Sequence, residues 1–225
     1  MTQNTVKVKV WDAPTRFFHW GMLCLLGGLW WTAESGEMEW HQLLAYSLMI
    51  LIGVRLMWGF VGSDTAKFSQ FIHSPRKVLR YLHKTKQEGI SASVGHNPVG
   101  GYMVVALIGI VSVQLVTGLF ATDEIFTEGP LYATVNSDTA SWLTWLHKKN
   151  FDLLLILAAI HVLAVGVHMI KGDKILAAMF SGYKQLPESQ VKPLAFAPLL
   201  KALIIVLVIG ALVLNYLMLP VIDML

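Results

Sequence analysis

The chain has 225 residues, 55% of them hydrophobic and only 14% charged, with a mean hydropathy of +0.59 and a net charge of +3. That is too apolar for an ordinary soluble domain, and the charge balance gives no case for nucleic acid. The single cysteine, Cys24, excludes a disulfide within the chain, and no CxxCH sequence is present to attach a c-type haem covalently.

Five segments are apolar enough to span a bilayer core, which takes about 20 helical residues. No strand alternation of barrel length occurs. The expected fold is therefore all-α, an integral membrane helical bundle whose backbone groups are satisfied inside helices. The opening stretch, MTQNTVKVKVWDAPTR, does not read as a signal peptide, because it has no apolar core before a small-residue cleavage site. The first span, Phe17 to Thr32, is short and leans on its aromatic flanks, RFFHW and LWW. The second runs from Trp40 to Phe60. In the loop from Gly62 to Asn97, PRKVLRYLHK has a proline start and basic residues at helical spacing, which predicts a short interfacial helix. GHNPVGG opens the third span, Val99 to Thr122, with Asn97 as N-cap and Pro98 in the first turn. A loop from Asp123 to Leu146 follows, and its Trp142 and Trp145 suit a membrane interface. The fourth span, His147 to Ile170, is apolar yet contains histidines. The fifth, Ala197 to Leu219, follows Pro193 and Pro198 and has no His, Arg, Asp or Glu beyond its ends, so it reads as an addition to a four-helix core.

Charge placement predicts the topology. With the N-terminus inside, Lys7, Lys9 and Arg16 are cytoplasmic. So are Arg55, Lys67, Arg76, Lys77, Arg80, Lys84 and Lys86, and then Lys171, Lys174, Lys184, Lys192 and Lys201. Fifteen of the 17 basic residues thus fall on one side; only Lys148 and Lys149 fall outside, and the C-terminus lies outside with them. The outer loops are acidic, with Glu34, Glu37, Glu39, Asp123, Glu124, Glu128 and Asp138.

This topology sorts the histidines by depth. His19 and His161 are near the inner face; His41 and His147 are near the outer face. His161 follows His147 by 14 residues, about 21 Å along a helix and only about 40° short of four full turns, so both face nearly the same way. A lone histidine near a helix end is most often interfacial. Two levels, each with imidazoles on two helices, suit a macrocycle held edgewise with one axial nitrogen from each side. Such ligation leaves iron no open position and favours electron transfer. His161 lies deep in an apolar helix, where an ionisable group usually has a task. Arg55, also 14 residues after His41, needs a counter-ion at inner depth, and a propionate would supply one. Arg16 is a second candidate, Lys148 could serve the outer level or snorkel to headgroups, and His168 suits a propionate or headgroup contact, with replacement of His161 as ligand left open. His73 and His83 read as solvated; His96 reads as a cap or a neighbour of bound quinone. Asp12 and Arg16 read as a surface ion pair.

VWDAPTRFFHW, WHQLLAY, RLMWGFVGSDTAKFSQF, GHNPVGG and LHKKNFDLLLILAAIHVLAVGVHMIKGD together resemble the bacterial cytochrome b561 family, the group that also contains the b-type cytochrome subunits of nickel-iron hydrogenases. The resemblance covers about residues 6 to 183. It implies that His19, His41, His147 and His161 bind two noncovalent b-type haems and that electrons exchange with membrane quinone. Residues 1–183 would form the four-helix dihaem domain, and 184–225 a linker with an additional transmembrane helix. The expected setting is the bacterial inner membrane, with lipid, quinone and a periplasmic c-type cytochrome or redox enzyme as partners. Superoxide:ubiquinone oxidation is the alternative inside the family. A histidine relay that transports protons or a metal is the alternative outside it.

Overall fold

The computed structural model describes residues 5–89, 93–125, 127–191 and 193–223. Lys192, placed in the cytoplasm by the charge argument, lies outside the described residues, as do residues 1–4 and 224–225 of the two expected domains.

The protein is a helical membrane bundle. Strand β1 (Thr5–Lys9) leads to helices α1 (Ala13–Ser35) and α2 (Met38–Val61). Short α3 (Phe68–Phe71) and α4 (Pro75–Glu88) precede α5 (Pro98–Gly118) and the 34-residue α6 (Ser137–Ile170). Then come α7 (Ile175–Ser181), β2 (Tyr183–Pro187), α8 (Leu199–Val213) and α9 (Leu219–Ile222). Among the described residues, four helices are long and apolar enough to cross a membrane: α2, α5, α6 and the continuous rod Leu199–Ile222. The expected first span falls inside α1, a helix of 23 residues whose Arg, His and Trp content keeps it less apolar than the others. In the last rod, residues Leu214–Met218 form a wider π turn. Pro220 cannot donate to the carbonyl four residues earlier, and the ladder loosens there.

The turns set the helix pairs. Gly36 has φ +73°, which a residue with a Cβ rarely adopts, and it ends α1. The Glu37 N–H reaches back to the Thr32 carbonyl at 3.0 Å, as in a Schellman cap. The connection is so short that α2 must run back beside the end of α1. Asn97 caps α5 as the sequence predicts, its Oδ1 accepting from Gly100 N–H at 2.7 Å.

Two compact units emerge. The first comprises residues 1–20, 54–105 and 160–205. In it, β1 pairs antiparallel with β2, Val6 opposite Leu186. The sheet was not foreseen: the alternation in TVKVK is five residues long and its partner lies at the other end of the sequence. Leu186 is fully buried with Val10, Trp11 and Ala178. Gly182, at φ +84°, lets α7 turn into β2, and its carbonyl accepts from Val10 and Trp11 N–H. A second cluster joins Trp58, Ala66 and Ala202. Amphipathic α4 buries no residue, leaving Leu79 and Leu82 exposed beside Arg76, Lys77 and Arg80. The second unit comprises residues 21–53, 106–159 and 206–225, with Tyr46, Val213 and Val221 at its core. The final rod therefore packs one flank on α2 in each unit, while Leu200, Leu203, Leu207 and Leu212 stay exposed.

Candidate functional site

In the second unit, His41 on α2 and His147 on α6 face one cavity of about 450 Å³, which Ala45, Gly118, Phe151 and Leu154 help to line. This lies within the range of small-molecule and cofactor pockets. The Nδ1 of His41 sits 3.0 Å from the Leu29 carbonyl and 3.3 Å from the Thr32 hydroxyl. The Nδ1 of His147 sits 2.9 Å from the Gln114 carbonyl and 3.2 Å from the Thr117 hydroxyl. A carbonyl oxygen only accepts, so in each ring Nδ1 carries the hydrogen. Nε2 is then left with its lone pair, the form that binds metal.

The two threonines work alike. Thr32 donates to the Gly28 and Leu29 carbonyls, at 2.9 and 3.1 Å. Thr117 donates to Val113 and Gln114, at 2.8 and 3.1 Å. Each hydroxyl hydrogen is thus engaged, and the oxygen lone pair is left to receive the imidazole N–H. Thr32 and Thr117 are only 2% and 3% exposed, so no water competes. Gly118 leaves room for the ring: a Cβ there would stand 3.0 Å from His147 Cε1. Lys148 lies at the cavity edge, whereas Lys149 pairs with Asp152 at 3.2 Å.

In the first unit, His19 on α1 and His161 on α6 have ring centres 6.4 Å apart. Imidazoles on two helices at this separation could hold one metal ion between them. His19 Nδ1 is buried without a partner. Arg55 is 2% exposed, its guanidinium lying over the rings of Phe18 and Phe68 at 5.7 and 5.1 Å. Its Nη1 has no hydrogen-bond partner. Asp12, which reaches Arg55 by charge, is already engaged: it accepts from Thr15 N–H and Trp58 Nε1–H, each at 2.9 Å. The expected Asp12–Arg16 surface ion pair does not form. Asp12 is buried as a helix cap, and Arg16 Nη1 donates instead to the Phe180 carbonyl. His168 turns to Asp173, its Nδ1 3.2 Å from Oδ2, and Asp173 is ion-paired with buried Lys184.

His96, which the sequence left as a cap or quinone neighbour, lies between the rings of Trp11 and Phe71, at 4.7 and 4.8 Å. Burial first, and then the charges of Arg55, His161 and His19, push its pKa down to about 3. Its Nδ1 is buried and unpartnered.

Among the described residues, no three His, Cys, Asp or Glu side chains converge as a metal site. The candidate ligands form two sets, His19 beside His161 and His41 sharing a cavity with His147, and two imidazoles could hold one haem iron. A family model described as prokaryotic cytochrome b561 matches residues 10–182. The chain belongs to the prokaryotic cytochrome b561 family. No curated protein and no solved structure matches it. Membership makes this b561 chain a transmembrane b-type cytochrome of electron transfer that carries b-type haem. The residues fit that group on three counts: Nε2 left open on His41 and His147, a cavity shared by those two rings, and a buried arginine in the unit of His19 and His161 whose Nη1 has no hydrogen-bond partner. Bound haem supplies one-electron chemistry at iron; the chain supplies ligands, tautomers and charge. Sequence reading missed Thr32 and Thr117, because a threonine that bonds back to its own helix looks like any other small residue in an apolar span.

Proposed function

We propose that this b561 protein holds two noncovalent haems, one between His19 and His161 and one between His41 and His147. We further propose that it carries electrons across the bacterial inner membrane, between the quinone pool and a periplasmic redox protein such as a c-type cytochrome or periplasmic oxidoreductase. The observation that carries the reading is the pairing of imidazoles within each unit, with Nδ1 of His41 and His147 committed to backbone carbonyls. Arg55 and Arg16 would meet the carboxylates of the first haem, and Lys148 those of the second. His168, held by Asp173, would bound the first site rather than ligate. The charge asymmetry of the sequence supports a cytoplasmic N-terminus and a periplasmic C-terminus, with residues 1–183 as the haem domain and the rest an added helix. Glu34, Glu37, Glu39, Glu124, Glu128 and Asp138 are all exposed in the second unit and would attract a basic partner.

The reading is tested on purified protein by the reduced-minus-oxidised spectrum, acid-acetone extraction and the haem-to-protein ratio. A b-type signal, complete extraction and a ratio near two are expected. A reproducible ratio of one in fully folded protein would remove the two-site arrangement.

A further inference from the structure

The first unit collects buried polar atoms without partners: Arg16 Nε, His19 Nδ1, Arg55 Nη1, His96 Nδ1 and the hydroxyls of Thr15 and Thr65. Four are nitrogens, and each buried polar atom left unmet costs free energy. Arg55 and His96 are linked through one chain of aromatic contacts, and Thr65 lies beside it. Arg55 lies over Phe68, Phe68 touches Phe71 with ring centres 5.8 Å apart, and Phe71 packs on His96. Thr65 and Trp11 both lie beside Gly95, the residue before His96: a Cβ built on Gly95 would be 3.6 Å from Thr65 Cγ2 and 3.9 Å from Trp11. A guanidinium so enclosed, facing mainly π systems, calls for an anion with more than one oxygen.

We propose that His96 and Thr65, together with Arg55, bind a carboxylate of the haem held by His19 and His161. This rests on the assignment of His19 and His161 as ligands. His96 is then a cofactor-binding residue rather than a helix cap or quinone neighbour. Trp11 and Phe71 clamp its ring so that Nδ1–H can donate to the same carboxylate as the Arg55 guanidinium. The carboxylate relieves the desolvated positive charge of Arg55, and the donors spread its negative charge away from iron.

The test uses full-length haem-loaded protein with His96→Phe, which keeps the aromatic stack but removes the donor, and His96→Gln, which retains a donor. Resolved midpoint potentials and the propionate bending band in resonance Raman are the readouts. Expected for His96→Phe is a lower potential and a shifted propionate band for the haem that His161→Ala removes, with the other haem unchanged; His96→Gln recovers part of both. Unchanged band and potential with that haem retained would overturn the proposal. Wild-type apoprotein reloaded with haem or its dimethyl ester gives an answer even if His96→Phe does not load. The ester should be retained less well at this site, and equal retention would also overturn the proposal. Failure of the underlying assignment looks different: His19→Ala and His161→Ala would then both keep two haems.

Discussion

The threonines beneath the outer histidines make the sharpest test of the second-unit geometry. Thr32→Val and Thr117→Val keep side-chain volume and remove one acceptor from each imidazole. Each Nδ1–H is shared between a carbonyl at 3.0 or 2.9 Å and a hydroxyl at 3.3 or 3.2 Å, so the hydroxyl is the weaker branch. A neutral hydrogen bond contributes about 0.5–1.5 kcal/mol net, and this branch belongs at about 0.5 kcal/mol. Acceptors at Nδ1 make the imidazole a stronger base, which favours ferric iron. If the oxidised form feels the whole effect, its loss raises the potential by about 20 mV per threonine, since 59 mV corresponds to about 1.4 kcal/mol for one electron. The double variant should approach about 40 mV on the same scale. Helix carbonyls keep their ladder bonds, so folding should suffer by only about 1 kcal/mol. Potentiometric titration in nanodiscs resolves the two haems, and His41→Ala identifies the outer one. A shift confined to the haem that His161→Ala removes, or none in the double variant, would refute the tautomer argument.

Gly118→Ala should displace the His147 ring and reduce occupancy of the outer haem alone, measured as haem per protein, because the new Cβ would stand 3.0 Å from Cε1. His161→Ala should delete the inner haem while His168→Ala keeps both; the reverse pattern of haem stoichiometry would move the ligand to His168. Asp64 accepts from Ala195 N–H at 2.9 Å, a bond that, with Lys67, lowers its pKa. Its contribution is therefore present above the usual carboxylate range and lost as pH falls through the lower folded value. Asp64→Ala should cost thermal stability at pH 7 but little in strong acid, where the melting curves should converge. In stopped-flow reduction by a basic cytochrome c, neutralising Glu34, Glu37 and Glu39 should slow exchange at low salt. Fast reduction by superoxide that depends on Lys148, with those glutamates irrelevant to the cytochrome, would instead favour superoxide as the donor.

The sequence disclosed whatever was periodic, long or costly. Apolar length located the membrane helices, and the expense of placing His161 and Arg55 in apolar spans marked them as candidates before any contact was visible. Asn97 was legible because N-caps follow local chemistry. The β1–β2 pair was not, since five alternating residues carry little signal and pairing of Thr5–Lys9 with Tyr183–Pro187, at the other end of the chain, carries none. Asp12 was misplaced outward: its neighbours in sequence suggest Arg16, whereas its decisive partner is the indole of Trp58, 46 residues away. His96 illustrates the same limit. Nothing beside it in GHNPVGG indicates that Trp11 and Phe71 will enclose it.

The two helical hairpins also explain why the sites differ. In α1 and α2, a carbonyl and a threonine three residues later, Leu29 and Thr32, hold His41; in α5 and α6, Gln114 and Thr117 hold His147 in the same way. Fourteen residues beyond each held histidine, the hairpins part: α6 places His161 there, and α2 places Arg55. Both positions lie four turns on, facing nearly as their histidine does. A histidine at 55 would add another imidazole to the first unit, where His19, His161 and His96 already lie. In the proposed assignment, arginine at that place supplies charge in place of a ligand, and His19 on α1 would hold the haem together with His161. Among the described residues, the second unit has no such buried cation; its Lys148 is exposed at the cavity edge. Burial strengthens a fixed charge that solvent would screen. The first-unit haem should therefore have the more positive potential of the two at equal ligation, and Arg55→Leu should reduce or invert that order. Equal potentials in the wild type, unaffected by Arg55→Leu, would mean that the guanidinium does not face the site.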